Sequence, residues 1–191
     1  MALLISCTSD PVGVRYYLLH TPENNVPNHG DDTKPIAVLQ SLNVADYLRD
    51  SSLVMQVNQY ELQYSRQDVW AEKLQSSFYK ALLQDLNGSN NRSYVAESSP
   101  NAMHAETAII IKLDHFHITD ASSVVSSGRY WLSVNESQKS KNIDPTASSH
   151  TFYFESPLKQ DGYAHAVEQL RALVDNLAKQ IKKDITALPN N

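Results

Sequence analysis

"DGYAHAVEQLRALVDNLAKQIKKDITALP", running from Asp161 to Pro189, decides the architecture of this chain. Tyr163, Val167, Leu170, Val174, Leu177, Ile181, Ile185 and Leu188 recur at steps of four and three, the period of one helix face. Asp161 opens the run and Pro189 stops it. Lys179, Lys182 and Lys183 gather toward the carboxyl end, where cations offset the negative pole of a helix. A four-three stripe also suits a coiled coil. The small residues Ala166, Ala172 and Ala178 beside the stripe favour close contact with a sheet instead. The stretch is therefore read as a long C-terminal helix lying on a β-sheet.

Working back from it, "HTFYFES" (His150 to Ser156) reads as a strand and "KSKNIDPTASS" before it as a loop. "AETAIIIKLDHFHIT" (Ala105 to Thr119) and "SVVSSGRYWLSVNES" (Ser123 to Ser137) pair as a hairpin, and "RSYVAES" (Arg92 to Ser98) is a short strand. "DVWAEKLQSSFYKALLQDLNG" (Asp68 to Gly88) switches to the helical period through Trp70, Leu74, Phe78, Leu82 and Leu86. Asp68 suits its N-cap and Gly88 a left-handed stop.

"SLVMQVNQYELQYSR" (Ser52 to Arg66) alternates but changes phase at Asn58-Gln59, as two short strands in a hairpin or one bulged strand would. "NVADYLRD" (Asn43 to Asp50) reads as a turn or a single helical turn. "IAVLQSL" (Ile36 to Leu42) and "RYYLLH" (Arg15 to His20) are strands, separated by a long Pro-bearing loop from Thr21 to Pro35. The order strands, helix, strands, helix gives an α/β (α+β) class: a mixed β-sheet with two helices packed on it. Residues 1–13 read as a tether and residues 14–191 as one domain, with no internal repeat.

The totals suit that reading. The chain has 191 residues, enough for one sizeable core. Apolar residues make up 41% and the mean hydropathy is −0.41, as in a soluble globular fold. A net charge of −5 gives no whole-chain field for nucleic acid. The one cysteine rules out an intramolecular disulfide and a cysteine-based zinc site. No apolar run approaches the roughly 20 residues of a membrane-spanning helix.

Catalytic patterns find little support. His115 and His117 stand two apart on one strand face and would bind zinc with a third ligand from His104, Glu106 or His150. An exposed strand end explains the pair more simply. "SSG" (Ser126 to Gly128) lacks the leading glycine of a nucleophile elbow and reads as a kink or bulge in a strand. Glycine-rich phosphate loops are absent. Asn87, Asn91 and Asn135 begin N-x-Ser sequons, which matter only in a eukaryotic secretory protein. The aromatics Tyr16-Tyr17, Tyr130-Trp131 and Tyr153 could line a lipid or partner surface and are read as sheet packing. No catalytic, cofactor-binding or metal-ligating residue is expected.

The cysteine is the informative exception. Leu4-Ile5-Ser6-Cys7 has the form of a bacterial lipobox: a branched apolar residue, a tolerant position, a small residue, then Cys. The sulfur takes a diacylglycerol thioether and cleavage before it demands a small neighbour. Cys7 is thus the candidate lipid anchor.

"LISC", "YYLL", "ADYL" (Ala45 to Leu48), "VWAEKL" (Val69 to Leu74), "IIIKLDHF" (Ile109 to Phe116), "GRYWL" (Gly128 to Leu132) and the C-terminal helix follow one another along nearly the whole chain. This ordered set resembles the PqiC-like (YmbA-like) auxiliary lipoproteins of bacterial lipid-trafficking systems. The long loop from Thr21 to Pro35 departs from that pattern. The resemblance implies a non-enzymatic protein anchored by acylated Cys7 on the periplasmic side of the outer membrane. Thr8 after it, rather than Asp, agrees with outer-membrane sorting. It also implies an MCE-type tube-forming partner and an inner-membrane component, phospholipid or another apolar cargo, and a ring-forming homo-oligomer. The alternative is a periplasmic structural or envelope-assembly lipoprotein with no lipid route.

Overall fold

The computed structural model describes residues 13–21, 35–88, 93–134 and 147–188. Along the chain they form β1 (Arg15–Tyr17), β2 (Ala37–Val44), a 3-10 turn (Asp46–Arg49), β3 (Ser52–Asn58), β4 (Glu61–Trp70) and α1 (Leu74–Asn87). Then follow β5 (Tyr94–Ala96), a second 3-10 turn (Pro100–His104), β6 (Thr107–Ile118), β7 (Ser123–Val134), β8 (Ser148–Pro157) and α2 (Tyr163–Thr186).

β6 is the spine. On one edge it pairs antiparallel with β7 along its whole length, and β8 pairs antiparallel with β7 beyond. Its other edge is shared. β2 takes residues Thr107 to Leu113 in parallel register, and β3 meets the far end at Met55↔Ile118. The first 3-10 turn carries the chain from one partner to the other. The sheet therefore forks: β5 continues past β2, while β4 and then β1 continue past β3. Expectation and structure agree on a mixed sheet carrying two helices, and the sheet has eight strands.

Alternation buries one face. Ile109, Ile111, Leu113 and Phe116 of β6 meet Leu74, Phe78, Leu82 and Leu86 of α1 and Leu170, Val174, Leu177 and Ile181 of α2 in one core. Each large side chain so buried stabilises by about 1.5–3 kcal/mol. Phe116 meets Phe78 edge-on at 5.2 Å between ring centroids. Lys112, His115, Arg129, Thr151, Tyr153 and Glu155 on the other face are exposed.

The β6–β7 register slips between Leu113 and His115. Gly128, opposite Leu113, allows it: a Cβ there would stand 2.1 Å from the Lys112 carbonyl oxygen. The small-residue reading of "SSG" holds, with the irregularity placed at the slip opposite Gly128.

Several boundaries differ from expectation. α1 starts at Leu74, and Val69 and Trp70 still belong to β4. Asp68 does not cap it; its carboxylate holds Arg15 and Tyr17 of β1 instead. Gly88 closes α1 in the right-handed region at φ −69° rather than in the left-handed one. β1 is shorter than "RYYLLH", because the Leu19 amide donates to Ser77 Oγ of α1 and draws the chain off the sheet. Ala166 and Ala178 are buried as expected, but Ala172 is exposed. The loop from Thr21 to Pro35 and the one from Lys139 to Ser149 lie mostly outside the described residues.

Candidate functional site

Cys7 lies outside the described residues, and the chain enters the structure at Gly13 and Val14. β1 is parallel to β4, so its N-terminal end points toward the turn that joins β3 to β4. The same end of the sheet carries the β6–β7 turn, the β8–α2 connection and the first turn of α2. Met55, Gln63, Ile118, Leu158, Lys159 and Tyr163 line a cleft of about 680 Å³ there. The Tyr60 side chain stands out from the β3–β4 turn, 89% exposed.

The chain's apolar exposure concentrates nearby. Val14, Tyr16 and Leu18 reach solvent, as does Tyr153 on the opposite edge strand β8. The packing role expected for Tyr16 and Tyr153 is therefore incorrect. Both sit on the sheet face that no helix covers. Tyr17 and Tyr130 do pack into the core.

The candidate zinc ligands are not brought together. His115 and His117 share a face, with ring centroids 5.7 Å apart. His115 is exposed and its Nδ1 lies 2.9 Å from Ser127 Oγ. His117 is buried, with Nδ1 3.0 Å from the Ile118 carbonyl oxygen. Burial holds the His117 pKa below the usual imidazole range, offset in part by that carbonyl. His104 and Glu106 lie at the start of β6, about 30 Å of strand away. His150 lies on the helix side of β8. Among the described residues no group of three or more His, Cys, Asp or Glu side chains forms a metal cage.

Three polar networks were not visible in the sequence. Asp85 of α1 pairs with Arg171 of α2 through both nitrogens. Burial raises the Asp85 pKa while Arg171 pulls it back. Lys182 of α2 donates to the Asp85 carbonyl near the end of α1, at 2.8 Å. Asp68 collects Arg15, Tyr17 and Ser65.

The third network joins β7, β8 and α2. The Tyr130 hydroxyl donates to the Asp184 carboxylate, and burial is the main reason that its pKa rises. His150 stacks on the Tyr130 ring at 5.0 Å and 6°. Its Nδ1 lies 3.4 Å from Asp184 and its Nε2 3.0 Å from Ser148 Oγ. That chain of contacts has the outline of a hydrolytic relay. The Ser148 hydroxyl, however, donates toward the Leu132 carbonyl at 3.4 Å, and Asp184 is already taken by Tyr130. The set ties sheet to helix. Its members come from three elements, so no local spacing reveals it.

No described helix is long and apolar enough to cross a membrane. The family model of the ABC-type transport auxiliary lipoprotein component matches residues 17–182. The intermembrane transport lipoprotein PqiC of Escherichia coli is 23% identical over 186 residues, covering 97% of this chain and 94% of that one. PqiC of Shigella flexneri matches to the same extent. Among solved structures, one of an uncharacterized protein superposes with a TM-score of 0.73 at 19% identity, covering 91% of this chain and 99% of that one. A Xanthomonas campestris protein superposes at 0.61 and 12% identity, covering 79% of this chain and 85% of that one. These two superpositions establish the fold.

Proposed function

This chain belongs to the family of ABC-type transport auxiliary lipoprotein components, and from that premise we propose that it is a non-enzymatic, membrane-anchored accessory of an MCE-type intermembrane lipid transport system. The observation that carries this reading is the near full-length match to PqiC, an intermembrane transport lipoprotein, in a chain that places Ser6-Cys7 after Leu4-Ile5. Cys7 bears the acyl anchor, and Thr8 after it agrees with delivery to the outer membrane. The domain then faces the periplasm. An anchor that supplies membrane binding through its own methylenes leaves the domain free to be polar on most of its surface.

The partners in this reading are a tube-forming MCE-type protein and an inner-membrane component, with phospholipid or another apolar molecule as cargo. Self-association into a ring would let several anchors act together.

The test uses the protein expressed from its native locus beside a Cys7→Ser variant. Intact mass and membrane fractionation are read for both. Lipid mass on Cys7, outer-membrane fractionation of the wild type and release of the variant are the expected results. An unmodified Cys7, with both forms soluble, would sink the anchored reading. Co-purification of an MCE-type protein with the wild type tests the partner.

A further inference from the structure

β1 is one outer edge of the forked sheet, and strand alternation sorts its neighbourhood. Arg15, Tyr17 and Leu19 turn inward: the first two bind Asp68 and Leu19 is buried. Val14, Tyr16 and Leu18 turn outward and are 48%, 70% and 47% exposed. The Arg15 side chain is 61% exposed but its guanidinium is held by buried Asp68, while Arg66, two residues before Asp68, is exposed. In a chain of net charge −5, this corner is apolar with one exposed arginine beside it.

The position of the patch names its occupant. Val14 stands seven residues after Cys7, a span that reaches at most about 25 Å when fully extended. A bilayer-held Cys7 therefore keeps the start of β1 within about 25 Å of the headgroups. On so short a leash the patch meets the membrane at a high effective concentration, and a weak contact is enough.

We propose that Val14, Tyr16 and Leu18 dock β1 onto the phospholipid bilayer that holds the Cys7 anchor, with the exposed Arg66 directed to lipid phosphate. The proposal rests on the anchored reading of Cys7. Tyr16 suits the boundary between headgroups and acyl chains, because its ring is apolar and its hydroxyl can stay wet. Arginine stems lie along apolar surface while their heads reach phosphate. The contact sets orientation: the edge with β1 lies on the membrane and the edge with β8 lies away from it.

The single thiol lets the docking be tested without cellular acylation. Full-length protein is coupled through Cys7 to a maleimide lipid in phosphatidylcholine vesicles that contain brominated acyl chains. Tyr16→Trp is compared with Tyr153→Trp, a comparably exposed position on the opposite edge strand, after subtraction of the parent's own tryptophans. Quenching at position 16 is expected to exceed that at 153 clearly, because an interfacially inserted ring lies near the brominated chains. Adding Leu18→Asp to Tyr16→Trp is expected to remove the difference while leaving the urea midpoint unchanged.

Equal quenching at the two positions overturns the proposal. So does sedimentation of a lipid-free oligomer in which position 16 is already shielded, since a second copy would then be the occupant. The native-locus mass of Cys7 separates the two readings. An acylated Cys7 with equal quenching removes the docking alone. An unacylated Cys7 removes both, whatever the tethered vesicles report.

Discussion

Arg171 grips Asp85 with both guanidinium nitrogens, at 2.5 and 2.6 Å, and so fastens α2 to α1. Asp85 lies near the carboxyl end of α1, where a negative charge is unwelcome, and its side chain is only 11% exposed. Arg171→Ala leaves that carboxylate buried with Lys182 as a remaining charged neighbour. The expected cost is about 3 kcal/mol, read as a lower urea midpoint with unchanged slope. Arg171→Met with Asp85→Leu is expected to recover most of the loss, because the cost lies in the unpaired charge. A double variant no better than the single one would contradict this.

Gly128 and Gly88 make a paired test. A methyl at Gly128 collides with the Lys112 carbonyl at 2.1 Å, whereas one at Gly88 meets its nearest atom at 3.4 Å. Gly128→Ala is expected to destabilise by at least about 2 kcal/mol, since backbone rather than a flexible side chain must move. Gly88 already has φ −69°, so Gly88→Ala is expected to stabilise by about 0.4–1 kcal/mol through the unfolded chain. Urea denaturation of the two variants checks both signs.

Tyr130→Phe removes the hydroxyl that Asp184 accepts from, while keeping the ring stacked on His150. A loss of about 1.5–3 kcal/mol is expected for a hydrogen bond to a charged group. For a chain of this length that lowers Tm by roughly 3–12 °C. His150→Phe keeps an aromatic ring at position 150 and is expected to cost less. The reverse order in differential scanning calorimetry would mean that the histidine, not the tyrosine, holds the carboxylate.

Acid is expected to weaken the fold through His117. Its folded pKa lies below the ordinary value, so the unfolded chain binds the proton first. The sign follows: stability is full above about pH 6.5 and falls as pH drops from there through the folded pKa. His115 and the edge-on Tyr47 ring are the neighbouring groups, and His115 opposes protonation further. Asp85 acts in the opposite direction near the carboxylate range, because its pKa is raised. Urea midpoints at about pH 8 and about pH 5.5 should differ in the wild type. The difference should shrink in His117→Asn, whose amide can still donate to the Ile118 carbonyl.

The legible parts of the fold were those with local period. The α2 stripe, the β6–β7 hairpin and the phase change at Asn58 all turned out as their spacing implied. Asp68 was misread because its partners, Arg15 and Tyr17, stand far back along the chain, and a local rule saw only a helix about to begin. The parallel pairings of β2 with β5 and β6, and of β1 with β4, left no trace in spacing. The same limit applies at the surface. "RYYLLH" reads as a strand to be packed, yet only its alternate residues find a core. Which side of an edge strand stays bare depends on what lies next to it, and that is a property of the assembled sheet.

The fork at β6 also sets the order in which the molecule can assemble. β2 and β3 follow one another closely, but the edge they share is separated from them by β4, α1 and β5. The β6–β7–β8 meander needs only neighbours in sequence and is expected to close first, with β2 joining late. Pulse-labelled hydrogen exchange during refolding, with β7 amides protected before those of β2, is the expected record. Early protection of β2 would refute it. A nascent chain emerging N-terminus first can pair β1, β3 and β4 with one another, but it has no template for β2 until β5 and β6 exist. The strand that bridges β5 and β6 is thus fitted into a gap between pieces already made.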